Sequence, residues 1–141
     1  MYYSSNKRLS DLFVCKKHNH IFQSIDELYQ KLNENGWCEM TTFSKKQWNP
    51  QKRCSGQCNA TVLLVQEYFG GDIIEYDNPP GNKAKHFFNR IDGVDIDLTS
   101  EQFSPILTGY SQKSKKYNGS GMYHFGYEKS EYILKLRLGL Q

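Results

Sequence analysis

The sequence predicts an α+β fold: a central buried helix packed on an antiparallel sheet, with helices at both termini. Three observations predict it. Gln57 to Phe69 is apolar nearly all round and is closed by Gly70-Gly71, the pattern of a helix surrounded by protein. KHFFNRIDGVDIDLT runs in alternation on either side of Asp92-Gly93, a strong two-residue hairpin signal. Ser24 followed three residues later by Glu27, and EKSEYILKLRLGL at the other end, mark helices near the two termini.

Each element has a local reason. Ser24 and Glu27 form a capping box, Ile25, Leu28 and Leu32 share one side, and Gly36 is a stop, so a helix is expected at about 24–35. Leu12 to Val14 is a short strand or helical turn, and Trp37 and Trp48 bracket a loop or short strand. Pro50 argues against regular structure just before the cysteines. Ser55 is the expected N-cap of the central helix. DIIEYD reads as a strand and NPPGN as a tight loop.

The Asp-Gly turn sets a register in which Ile91 opposes Val94, Arg90 opposes Asp95, Phe88 opposes Asp97 and His86 opposes Thr99. Phe87, Ile91, Val94, Ile96 and Leu98 then share one face, with Asn89 as the exception. His86, Phe88, Arg90, Asp95, Asp97 and Thr99 share the other. SEQF begins a short helical turn. Residues 104–127, rich in Gly, Ser, Tyr and Lys, read as a long loop with room for a brief strand.

A chain of 141 residues is expected to be one domain, residues 1–141. Within it lie a core at about 48–103, the loop at 104–127 and a helix at about 128–140. The net charge of +3 is too small to argue for nucleic acid. No apolar run approaches the length of a membrane span. The N-terminus has no apolar signal-peptide core, so four cysteines read as thiols in a reducing cytoplasm.

Cys58 is expected in the first turn of the central helix. There, unpaired N–H groups and the positive dipole end favour a thiolate, the nucleophile of cysteine hydrolases and acyltransferases. Such chemistry needs an imidazole to take and return a proton, and a group to orient it. His86 begins one strand, and Asp97 lies one pair away on the next, on the same face. Asp95 already opposes Arg90, so Asp97 is the better partner for His86. Asn89 is a second orienting candidate. The Cys58 N–H is one oxyanion donor, and Gln57, Gln47 or Trp48 could supply the other. One tension stands against this reading. If the central helix packs on the apolar face of the hairpin, His86 points away from Cys58. A bulge, strong twist or irregular strand start near Ala84-Lys85 would have to re-aim it.

GQCNATVLLVQEYFGGDI followed by HFFNRIDGVDIDLTSEQF resembles the YunG-like proteins, a bacterial family, from about Trp48 to Phe103. The terminal EKSEYILKLRLGL resembles that family's final helix. More remotely, the order helix-Cys, strand-His, strand-Asp is similar to papain-like and transglutaminase-like cysteine enzymes. That resemblance implies Cys58 as nucleophile, His86 as base and Asp97 as orienter, with an amide or ester carbonyl as the target. The short spacing between His86 and Asp97 departs from those enzymes. Sequence does not separate peptidase, deamidase and transglutaminase variants.

Plainer readings stand beside this one. A cysteine in an apolar helix is ordinarily core, and an acidic strand face is ordinarily solvated. Cys54 and Cys58 with Cys15 and His18 have spacings near those of structural zinc sites. CKKHNH is a weak half-site, however, so no metal or other cofactor is expected. His18, His20 and His124 read as surface residues. Lys113, Lys115 and Lys116, with Tyr110 and Tyr117, could contact an acidic partner or simply be solvated. The expected partner is a protein, peptide or small acyl substrate. The competing function is a non-catalytic binding domain that keeps the fold and uses the loop.

Overall fold

The computed structural model describes Tyr3, residues 13–77, Pro79, and residues 85–103, 109–117 and 127–140. Leu12, most of NPPGN, His124 and much of the 104–127 segment lie outside the described residues. The described helices are α1 (Ile25–Lys31), α2 (Cys58–Phe69) and α3 (Tyr127–Leu138). The strands are β1 (Asp72–Tyr76), β2 (His86–Ile91), β3 (Val94–Ile96) and β4 (Lys115–Lys116). They form an antiparallel sheet in the order β3-β2-β1-β4. The architecture is α+β.

Ten of the twelve residues of α2 are buried, which explains its lack of a polar face. Leu64, Val65, Tyr68 and Phe69 join Leu28, Leu32, Leu134 and Leu138 on the helical side, and Ile91, Ile96 and Leu98 on the sheet side. Each such side chain removed from water contributes roughly 1.5–3 kcal/mol, so α2 is the element the rest packs around. Asn89, the exception on the apolar face, donates to the Val62 carbonyl at 3.1 Å and ties β2 to α2.

The hairpin has the expected turn. Asp92 and Gly93 both have positive φ, 50° and 77°, as a type I′ turn requires. The register pairs Ile91 with Val94, Arg90 with Asp95 and Asn89 with Ile96. SEQF forms a 3-10 turn at Ser100–Gln102. A turn at Tyr110–Lys113 leads into β4 within the 104–127 segment, and Tyr110 lies over Ile74, Tyr76 and Phe88 on the second face of the sheet.

One local expectation needs correction: Ser55 does not cap α2, and Gln57 holds the cap position without a side-chain bond. The expected first helix is present as α1, continued by a π-turn over Leu32–Gly36, so the helical run ends at Gly36, which packs against Leu134 and Leu138. Of the loop or short strand expected between Trp37 and Trp48 the structure has the loop, with two 3-10 turns at Glu39–Thr41 and Lys45–Gln47. The β1–β2 ladder is regular through Tyr76 and His86, and Ala84, where an irregularity was expected, lies outside the described residues.

Gly71 shows where the helix exit is most constrained. Its φ is +82°, and a Cβ there would lie 2.4 Å from the Arg90 carbonyl oxygen. Gly93 has a similar φ but open space. Gly71→Ala should therefore lower unfolding free energy in urea by more than about 2 kcal/mol, and Gly93→Ala by about 1 kcal/mol. Equal losses would mean that Gly71 is held by its dihedral angle alone.

Candidate active site

Cys58 is the first residue of α2, and its side chain is 6% exposed among Val62, Leu63, Ile73 and Phe87. Tyr117 and Tyr127 pack against this cluster from the later part of the chain. The first N–H groups of a helix have no carbonyl partner within the helix, so the thiol sits where such donors gather.

His86 is the first residue of β2 and is 1% exposed. It belongs to the second face of the sheet, with Phe88 stacked beside it at 6.3 Å and the Phe103 ring edge-on at 4.8 Å. The Cys58 sulfur is among the groups that favour the charged form of His86, while the Cys58 thiol donates to Asn59 Oδ1 at 3.5 Å. His86 begins its strand and Cys58 begins its helix.

Asp97 follows directly on β3 and is 1% exposed. Its Oδ2 lies 2.6 Å from His86 Nε2 and also accepts from the Tyr110 hydroxyl. Its Oδ1 accepts from the Thr99 N–H at 3.1 Å and the Thr99 hydroxyl at 3.2 Å. Asp95 instead forms a two-pronged pair with Arg90, at 2.6 and 3.2 Å. With Nε2 held by Asp97, Nδ1 faces the Gln102 amide nitrogen at 3.3 Å. Burial works against a charged imidazole at His86. The Asp97 carboxylate, its hydrogen bond and the Cys58 sulfur outweigh that and push His86 up to about 10 from an ordinary 6.5. Cys54, four residues before Cys58, is pushed up to about 12 by burial, so it remains a core thiol.

The supporting candidates fare differently. Gln57 is fully buried, and its carboxamide is occupied: Oε1 accepts from the Thr41 hydroxyl at 2.7 Å and Nε2 donates to the Cys38 carbonyl at 2.9 Å. Trp48 packs on the main core under the Arg53 guanidinium, 5.3 Å from its ring centre. Asn89 binds the α2 backbone, so it is not brought to His86. Gln47 lies against Gly56, where a Cβ would come within 2.6 Å of its Oε1, and that buried oxygen has no hydrogen-bond partner.

Gln102 had no signal in the sequence; Thr99 was expected opposite His86 and Tyr110 beside the loop lysines, but neither was read as a partner of Asp97. Gln102 Nε2 lies 3.3 Å from His86 Nδ1 and 3.0 Å from the Thr99 hydroxyl, and its Oε1 accepts from the Gly56 N–H at 3.3 Å. Among the described residues no three His, Cys, Asp or Glu side chains gather as a metal site, and all four cysteines are free. Lys115 pairs with Glu75 and Asp77, and Lys116 with Asp72, so these lysines are already partly neutralised. No helix among the described residues is long and apolar enough to cross a membrane.

Fold and site together define an α+β protein with a buried His86–Asp97 pair in its sheet and a buried Cys58 at the start of its central helix. The family model described as YunG protein matches residues 24–135, and the chain belongs to that family. Over 64 residues it is 41% identical to the Bacillus subtilis (strain 168) protein titled "Uncharacterized protein YunG". That match spans 45% of this chain and 53%, about half, of the relative. No solved structure matches the chain.

The raised His86 gives a signed pH dependence. A group raised by folding stabilises fully below its unfolded value, and that contribution is lost as pH rises through the folded value. For His86 the window runs from 6.5 to about 10. The stability difference between the native chain and His86→Gln in urea should therefore shrink as pH rises from about 6 to about 10. A constant difference would show that the folded imidazole is not held protonated.

Proposed function

We propose that this protein is a cysteine-dependent hydrolase or acyltransferase acting on an amide or ester carbonyl. The observation that carries the reading is the 2.6 Å contact from Asp97 to His86 Nε2, with the Cys58 sulfur at the start of α2 among the groups that favour the charged ring. Cys58 gives its proton to Nδ1 and its sulfur attacks the carbonyl carbon. The imidazolium then returns that proton to the departing amine or alcohol, leaving a thioester. Water or a second amine takes the acyl group, and the thiol is restored. The likeness to papain-like and transglutaminase-like enzymes rests on this order of residues, and a reducing cytoplasm suits four free thiols.

The Cys58 N–H would serve as one oxyanion donor. Gln47 suits the second place best, because its side chain packs against Gly56 just before Cys58 while Gln57 is occupied and Trp48 lies in the main core. The burial of the thiol favours one other reading, a non-catalytic domain in which Cys58 is a packing residue. Cys58→Ala would leave the cellular phenotype intact in that case.

Alkylation of Cys58 at about pH 6.5, where an ordinary thiol is almost wholly protonated, tests the pair directly. Labelling located by mass spectrometry should be fast in the native chain and fall at least about tenfold in His86→Ala. Asp97→Asn should slow it more than Asp95→Asn, which removes only the partner of Arg90. Equal, slow labelling in every form would make Cys58 a core residue. Gln47→Ala should leave alkylation unchanged, because alkylation builds no oxyanion. It should lower turnover of an activated ester by about 10- to 100-fold; unchanged turnover would remove Gln47 from the oxyanion site.

A further inference from the structure

We propose that Gln102 is a positioning residue that opposes protonation of His86 at Nδ1; its place in a reaction rests on the catalytic reading above. The orientation of its carboxamide follows from its neighbours. The Gly56 N–H can only donate, so the atom facing it at 3.3 Å is the amide oxygen. The amide nitrogen is then fixed on the other side. Its two hydrogens have two partners, the Thr99 hydroxyl at 3.0 Å and His86 Nδ1 at 3.3 Å.

An N–H aimed at Nδ1 requires that nitrogen to accept. It favours the neutral ring with its hydrogen on Nε2, where Asp97 receives it. Once Nδ1 carries a proton, Gln102 offers it no acceptor, so the charged ring loses its partner at that nitrogen. The groups facing the ring are Cys58 from α2, Asp97 beyond β3, Tyr110 from the following turn, and Tyr76, its pair on β1. Asp97 and the Cys58 sulfur favour the imidazolium. Gln102 acts against it.

Two links make the placement stiff. The turn is held by Ser100 N–H on the Asp97 carbonyl at 3.2 Å and Gln102 N–H on the Thr99 carbonyl at 3.0 Å. Glu101 accepts from the Tyr29 hydroxyl of α1. The same carboxamide thus joins the turn before the nucleophile to the base.

The test is an NMR titration of His86 in the Cys58→Ala chain, which removes the sulfur's own influence, with Gln102 native, Gln102→Leu and Gln102→Glu. Proton affinity should rise about tenfold in Gln102→Leu and further in Gln102→Glu, an order that follows from removing the opposing N–H and then supplying an acceptor. Identical titrations, or the highest affinity with Gln102 native, would overturn the proposal. Gln102→Glu keeps an oxygen for the Gly56 N–H and decides the matter if Gln102→Leu fails to fold. Cys58 alkylation in the otherwise native chain separates the two claims. The titration order with an ordinary thiol rate would sink the catalytic reading and keep the role of Gln102. An activated thiol without that order would do the reverse.

Discussion

A carboxylate almost fully withdrawn from water is the constraint around which this site is built. Desolvating one such ion costs several kcal/mol unless donors replace the lost water. At Asp97 they come from three places: His86 on β2, Thr99 just beyond Asp97, and Tyr110 on the turn after it. Satisfying that charge fixes the sheet end, the Ser100–Gln102 turn and the Tyr110 segment against one another. Removing any one donor would loosen segments that are distant in sequence. The site's rigidity therefore comes from solvation of one ion more than from the strands themselves, since β3 has only three residues.

The core supplies the other half. Because α2 buries nearly all its surface, its direction is fixed by packing on α3 and the sheet, and its first residue is delivered to a set place. Hydrophobic burial places Cys58, and ion solvation places His86.

That division explains what was legible in the sequence. The Asp92-Gly93 turn fixed the register, and the register singled out Arg90 for Asp95 and His86 for Asp97. The run from Cys58 to Phe69 was visible because an all-round apolar helix has few other uses. Gln102 and the role of Tyr110 were hidden because both act from irregular turns, where no period relates sequence distance to spatial distance. Thr99 was placed beside His86 by the register, but its bonds to Asp97 were not. Gly36 ends the helical run, and its small size also serves contact with α3, a long-range fact that local pattern does not carry.

The proton balance at His86 also has a direction in time. Burial opposes its charge, Asp97 supports it, and so does the sulfur of Cys58. In the proposed reaction the sulfur becomes part of a thioester and no longer carries charge. One of the two supports is then gone, while burial and the Gln102 N–H remain. The imidazolium therefore holds its proton most tightly while the nucleophile is poised. It releases the proton more readily once the acyl group has been captured, when a leaving amine or alcohol needs it. A base held by Asp97 alone would be orientated equally well but would lack this timing, because nothing in its surroundings would change as the bond to sulfur formed.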